Sequence, residues 1–474
     1  MPFAGKNTWI LTSLALGLCL LTGCGLLRPG SQGKTPTAPE AIETTAVTAE
    51  AEPTPELDPG TPEMDFAGMS FEELCEKLPK LTALRKAKIP EDSLTVEQFR
   101  TLSQLRPDVE FDYDFTVNGK PGSIGFTRLD LRTADSAGMR SWLAWAACMP
   151  ELQSIELGTG DAEKAWVPWD ALAELRAARP EIAVNGSFTL YGKEFTLEST
   201  EMNLTHIPIA DQGALVKAIT ACMPKLTYLD MDSCGVDDEH MAEIRDGLPN
   251  ANVVWRIWFG ERGHGFAGYS VRTDVTKILA SNPGIGGELD PENTKSLKYC
   301  TKVKYLDVGH NSYMRDISFV AYMPDLEMVV LAMGDWFDAS PLENCTKLRY
   351  AELQTTSLSD LRPLTKLQNL EDLNLCYCYA LHDITPLYEM PNLKRLYLGM
   401  LTPVPTEQVE EFKKLNPGCE VDTEIKDPTT GHWRYLGWDE YGDILAPSYA
   451  RLREVMEYDS APACYAYPYN DPLY

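Results

Sequence analysis

Between residues 300 and 400 the chain repeats itself in two phases at once. An L-x-x-L-x-L block of apolar positions opens at Val303, Leu326, Leu348, Leu370 and Leu393, with spacings of 23, 22, 22 and 23 residues. Its second and third apolar positions are Leu306/Val308, Val329/Leu331, Ala351/Leu353, Leu373/Leu375 and Leu396/Leu398. A second motif keeps the same period: Asp316-Ile317-Ser318-Phe319-Val320, Asp338-Ala339-Ser340-Pro341-Leu342, Asp360-Leu361-Arg362-Pro363-Leu364 and Asp383-Ile384-Thr385-Pro386-Leu387. A unit this short cannot bury its own apolar face, so successive units must stack. Each then supplies one short strand to a parallel sheet with strands about 4.8 Å apart.

The stretch resembles the 22-residue leucine-rich repeats of internalin-like bacterial surface proteins, down to the D-I-[ST]-P-L segment. The resemblance implies an α/β leucine-rich-repeat solenoid: one parallel strand per repeat, helices or short turns on the convex side, β-hairpin insertions and a C-terminal cap. It also implies an Asn or Cys eight residues after the first Leu, capping the turning backbone. Here those positions are Asn311, Gly334, Thr356 and Cys378, a partial match. Gly334 has no side chain to donate, so a looser or wetter turn is expected there.

Upstream the blocks persist in a longer form, opening at Leu81, Leu152 and Leu226, with further candidate strands at Leu131 and Leu204. Helix-like segments close at Pro107, Pro180, Pro249 and Pro417. Alternating segments at Val109–Val117 and Ser187–Tyr191 run into Asn118-Gly119 and Tyr191-Gly192-Lys193, which read as tight hairpin turns. Residues 65–297 are therefore read as long irregular modules with hairpins and 298–425 as compact repeats. The stretch from Val253 to Leu297 fits the modules poorly, and Asn282–Glu288 reads as loop. Residues 426–474 are rich in aromatics (Trp433, Tyr435, Trp438, Tyr441, Tyr465, Tyr467, Tyr469), with a helical stretch around Ser448–Tyr458. A terminal unit that covers the last apolar face is expected there, with an aromatic ligand-contacting patch as the alternative.

At the other end, Lys6 precedes an apolar run from Trp9 to Leu21 that is too short to span a bilayer and suits an export signal. It ends in Leu21-Thr22-Gly23-Cys24, which resembles the bacterial lipobox. The resemblance implies a signal peptide over residues 1–23 and diacylglyceryl transfer to Cys24. Two acyl chains hold stably to a membrane where one does not, which predicts a lipid anchor on the extracellular face of the cytoplasmic membrane. Residues 24–64, dominated by Pro, Thr, Ala and Glu, read as a disordered spacer.

With 42 basic and 70 acidic residues the net charge is −28, which argues against nucleic acid as a partner. The twelve cysteines show no zinc-finger spacing, and buried thiols are the default reading for those beyond the signal. None of the six histidines forms a metal-binding pair at helical spacing. Asp230-x-Asp232-x-Cys234-Gly235 faintly resembles a calcium loop, but Met241 stands where the twelfth-place carboxylate belongs. No catalytic constellation, metal site or cofactor is expected.

Chemistry is expected instead on the residues between the leucines, which project to the concave face in columns. The first column, Lys304, Glu327, Arg349, Glu371 and Lys394, alternates in sign and should form a charge ladder. The second reads Tyr305, Met328, Tyr350, Asp372, Arg395, and the third Asp307, Val330, Glu352, Asn374, Tyr397. His310, Met333 and Tyr377 flank them. Tyr, Met and Arg are enriched in protein interfaces, so Tyr305, His310, Met328, Met333, Tyr350, Glu352, Asn374, Tyr377, Arg395 and Tyr397 are the candidate binding residues. The expected function is non-catalytic recognition of a protein or glycan ligand by a membrane-tethered surface protein. A structural or assembly role in the bacterial envelope is the alternative.

Overall fold

Each compact L-x-x-L-x-L block delivers one three-residue strand, and in the computed structural model those strands stack in parallel. The structure describes residues 60–260, 268–281, 289–399, 401–424, 433–440 and 442–459. The signal, Cys24, most of the spacer, Asn282–Glu288, Tyr441, Tyr465, Tyr467 and Tyr469 lie outside them. A seven-stranded parallel sheet runs through Lys277–Leu279, Tyr305–Asp307, Met328–Val330, Tyr350–Glu352, Asp372–Asn374, Arg395–Tyr397 and Glu420–Asp422. The register aligns Tyr305, Met328, Tyr350, Asp372 and Arg395 in one column. The chain is thus a leucine-rich-repeat solenoid, and its apolar positions Leu306, Val329, Leu353, Leu373 and Leu375 are fully buried. Burying a leucine side chain stabilises by about 1.5–3 kcal/mol.

The second motif has a local cause. In each compact repeat the Asp accepts the backbone N–H two residues on: Ser318 to Asp316 at 2.7 Å, Ser340 to Asp338 at 2.8 Å, Arg362 to Asp360 and Thr385 to Asp383 at 2.9 Å. That turn starts a five-residue 3-10 helix, Ser318–Tyr322, Ser340–Asn344, Arg362–Lys366 or Thr385–Glu389. Longer repeats have room for true α-helices in the same place, such as Val96–Leu105, Trp169–Ala178 and Asp238–Asp246. No helix among the described residues is long and apolar enough to cross a membrane.

The array begins inside the stretch read as spacer, because Glu63–Asp65 pairs in parallel with Lys86–Lys88. Parallel triplets of strands make up the long modules, and each leads into an antiparallel hairpin. Asp114–Val117 pairs with Lys120–Ser123 through Asn118 and Gly119, both left-handed at φ 51° and 75°. Ala183–Leu190 pairs with Lys193–Thr196 through Tyr191 and Gly192 in the same conformation. The third module, which fits poorly by sequence, has the same plan: Arg256–Phe259 pairs with Tyr269–Arg272. It was hidden because no Asn-Gly signal marks its turn.

The turn at Gly334 also departs from expectation. Asn311 Nδ2 donates to the Val308 carbonyl at 2.8 Å, and Thr356 Oγ1 to the equivalent Leu353 carbonyl at 2.9 Å. At Leu331, the matching position in the repeat between them, Trp336 Nε1 donates at 2.9 Å from a fully buried ring. The turn is closed by an indole and is not loose.

Candidate functional site: the concave face

The concave columns form in the expected register, but their accessibility is not as expected. Met328, Tyr350, Asp372, Asp307, Val330, Glu352, Asn374 and Tyr397 are all buried, with Glu352 and Asn374 at 0% exposure. Tyr305 and Arg395 are half-buried. What covers them is the chain's own C-terminal segment, a hairpin (Tyr435–Asp439 with Gly442–Leu445) and the helix Pro447–Met456. The aromatic tail therefore packs into the concavity of the repeats.

Trp433 is the anchor. Its ring lies 5.5 Å from Tyr350 and 6.2 Å from Tyr397, centroid to centroid, with the Arg395 guanidinium 4.7 Å away. Its Nε1 donates to Glu352 at 2.9 Å and to Tyr350 Oη at 3.1 Å. Arg434 Nε donates to Glu352 Oε1 at 2.9 Å, and its second nitrogen reaches Oε2. Two more carboxylates receive donors from the same segment: Asp372 from Ser448 and Asp307 from Tyr458. Lys277 pairs with Glu457 at 2.6 Å at the rim.

The electrostatics differ among the three acids. Burial raises the Glu352 carboxyl, but Arg434 and the hydrogen bonds outweigh it and hold it below the usual range. Burial dominates at Asp307 and Asp372 and leaves both raised, with Tyr458, Ser448 and Arg395 opposing only in part. Burial and the Glu352 charge together push Tyr350 well above an ordinary phenol. Buried thiols follow the same rule: burial pushes Cys222 and Cys345 up to about 12, which keeps them protonated.

The upstream triplet repeats this chemistry. Tyr228 Oη lies 3.1 Å from Asp230, and Arg272 of the following hairpin donates to Asp230 at 3.0 Å and to Tyr228 Oη at 2.9 Å. Arg256 grips Asp232 with two bonds of 2.9 Å. The acidic pair that faintly resembles a calcium loop is thus held by arginines. In the first column, Lys304 lies 3.6 Å from Glu327, and Glu371 lies 2.6 Å from Arg349 and 2.8 Å from Lys394. These exposed links contribute about 0–1 kcal/mol each.

The remaining three candidates are in the loops that leave the strands' C-terminal ends, where Tyr377 packs against the covered cluster and His310 borders the C-terminal segment. His310, Met333 and Tyr377 all adopt left-handed backbone, with φ 60°, 61° and 58°. His310 and Met333 are exposed and Tyr377 is half-buried. Sequence columns missed their neighbours: Tyr313, Phe337, Tyr379 and Leu401 are 58%, 65%, 57% and 63% exposed in the same loops. The Tyr377 and Tyr379 rings pack with centroids 6.1 Å apart, tilted by 55°. The only signal for them was their place at the capping position (Leu401) or just past it (Tyr313, Phe337, Tyr379), where side chains leave the strand period.

No protein-family profile matches the chain, and no curated protein does. Among solved structures, an internalin from Listeria monocytogenes overlays with 16% identity, covering 76% of this chain and 85% of that one at a TM-score of 0.29. A leucine-rich-repeat protein of Leptospira interrogans overlays with 15% identity, covering 77% and 96%, also at 0.29. Both scores are low, so the fold assignment rests on the chain's own strand register and repeat spacing.

Proposed function

We propose that this chain is a non-catalytic recognition protein, tethered by a lipid on Cys24 to the outer face of the bacterial cytoplasmic membrane, that binds a protein partner along its loop edge. The observation that carries the reading is the row of large apolar side chains there: Tyr313, Met333, Phe337, Tyr379 and Leu401, each 41% exposed or more, spread along the compact repeats. Exposed apolar residues gathered on one edge in this way are characteristic of interaction sites. Tyr, Phe and Met are the types that interface cores favour. The leucines of the stacked repeats below the row are buried.

Photo-crosslinking amino acids placed at Phe337 and Tyr379, on intact producing cells, test the surface. Tyr322, 53% exposed in a 3-10 helix outside the row, is the control position. Adducts specific to the edge positions support the reading, and their identity distinguishes an external ligand from a component of the cell's own envelope. Equal adducts at Tyr322, or none at the edge, defeat it. The tether has its own check: wild type should partition with membranes and Cys24→Ser should not.

A further inference from the structure

The covered concave face is mixed: Met328, Val330, Tyr350 and Tyr397 pack against Trp433, Tyr449, Leu452 and Met456 of the segment, and three acids are buried among them. Asp307, Glu352 and Asp372 each take a donor from residues 433–458. Gln354 Oε1 and Asn374 Nδ2 are buried there with no hydrogen-bond partner among the described residues. Burying charge costs solvation that pairing barely recovers, so an apolar surface would make the better permanent interface. The covering is also partial. A cleft of about 420 Å³ remains between the segment and the repeats, lined by Asp307, His310, Arg434, Arg453 and Tyr458 among others. The hairpin packs Tyr435 and Leu445 against the repeats but leaves Leu436, Trp438 and Ile444 exposed, so docking buries only part of its apolar surface.

The strand pattern also shows what it selects. A tyrosine two residues before an acid takes an arginine at Tyr228/Asp230 and again at Tyr350/Glu352, whereas the third such pair, Tyr305/Asp307, takes the Tyr458 phenol. A planar guanidinium matches a carboxylate with two parallel hydrogen bonds. In the first case the arginine lies 42 residues on, in the adjoining hairpin; in the second it lies 82 residues on, past all the remaining repeats. We propose that the concave face of the compact repeats is a receptor surface for a protein segment presenting an arginine beside an aromatic residue, and that Trp433–Arg434 fills it in cis. This surface and the loop edge use different residues, so either assignment can fail without the other.

The test is a fluorescence-anisotropy titration of full-length protein with a labelled peptide of residues 431–459. A tethered segment competes at an effective concentration on the order of millimolar, so wild type should show no binding at micromolar peptide. The Trp433→Ala/Arg434→Ala chain, its own segment weakened, should bind the peptide saturably. The same peptide carrying Arg434→Gln should bind about tenfold more weakly or worse, and adding Glu352→Ala to the chain should abolish binding. No binding by a double variant that keeps its circular dichroism and cooperative melt overturns the proposal. So does binding that is indifferent to Glu352 or to the peptide's arginine. Should the double variant not fold, the titration on the Arg434→Gln chain decides, and absence of binding there overturns the proposal equally.

Discussion

The indole of Trp336 lies against the backbone of Gly334 so closely that a Cβ on the glycine would stand 2.8 Å from Trp336 Cδ1 and 3.2 Å from the Met314 carbonyl oxygen. The two positions act as one: the glycine vacates the space and the indole N–H satisfies Leu331. Gly334→Ala should therefore destabilise by about 1–3 kcal/mol through overpacking. Trp336→Phe should cost a similar amount, about 1–3 kcal/mol, by leaving a buried carbonyl unpaired. Urea titration of each variant measures this, and a neutral result for either would mean that the turn relaxes around the change.

The buried and exposed aromatics should separate cleanly. Tyr350 and Tyr397 are 1% exposed beneath Trp433, so alanine at either should lower stability by about 3–5 kcal/mol, as for other large core aromatics. Phe337→Ser and Tyr379→Ser remove side chains that are mostly in water and should leave the melting temperature unchanged within experimental scatter. Tyr379→Ser should weaken crosslinking from a probe at Phe337, and Phe337→Ser should weaken it from a probe at Tyr379. If the edge variants melt early, the row is part of the fold and not a free surface.

Much of the repeat geometry could be read in advance because it is local. Strand register follows from side-chain alternation, so the column from Tyr305 to Arg395 was legible residue by residue. The tight turns at Asn118-Gly119 and Tyr191-Gly192 were legible for the same reason. What escaped was non-local. Trp433 reaches Glu352 across 81 residues, and Tyr458 reaches Asp307 across 151, with no periodicity to connect them. Of the concave columns, the register was legible and the exposure was not, because a column's solvent face is decided by whatever else the chain folds over it. Trp336 escaped for a smaller reason: the donor moved two residues and changed type.

Single acids should carry the 3-10 starts. Asp338 accepts both the backbone N–H and the hydroxyl of Ser340, at 2.8 and 2.9 Å. Asp338→Ala should cost about 0.5–2 kcal/mol, the usual range for a lost cap. Asp338→Asn keeps an acceptor oxygen and should cost about a few tenths of a kcal/mol at most. Thermal melts of the pair suffice. Equal losses would assign the effect to charge, not to the hydrogen bond.

Acid titration should distinguish Asp307 from Glu352 by the sign of its effect. Asp307 is raised above 3.8 in the folded protein by burial, so the native state holds its proton at pH values where the unfolded chain has lost it. Its charge is then a liability that grows as pH climbs from 3.8 through the folded value and is constant above it. The stability of Asp307→Asn relative to wild type should accordingly rise with pH across that window. Glu352 is lowered below 4.5, chiefly because Arg434 outweighs burial, so its contribution is present above 4.5 and lost as pH falls through the folded value. The deficit of Glu352→Gln should be full at neutral pH and shrink only in stronger acid. Urea titrations of wild type and both variants at several pH values measure the two differences. Opposite responses are expected because one carboxylate lies under a phenol and the other under a guanidinium; parallel responses would show that the C-terminal segment does not seat on these two acids as described.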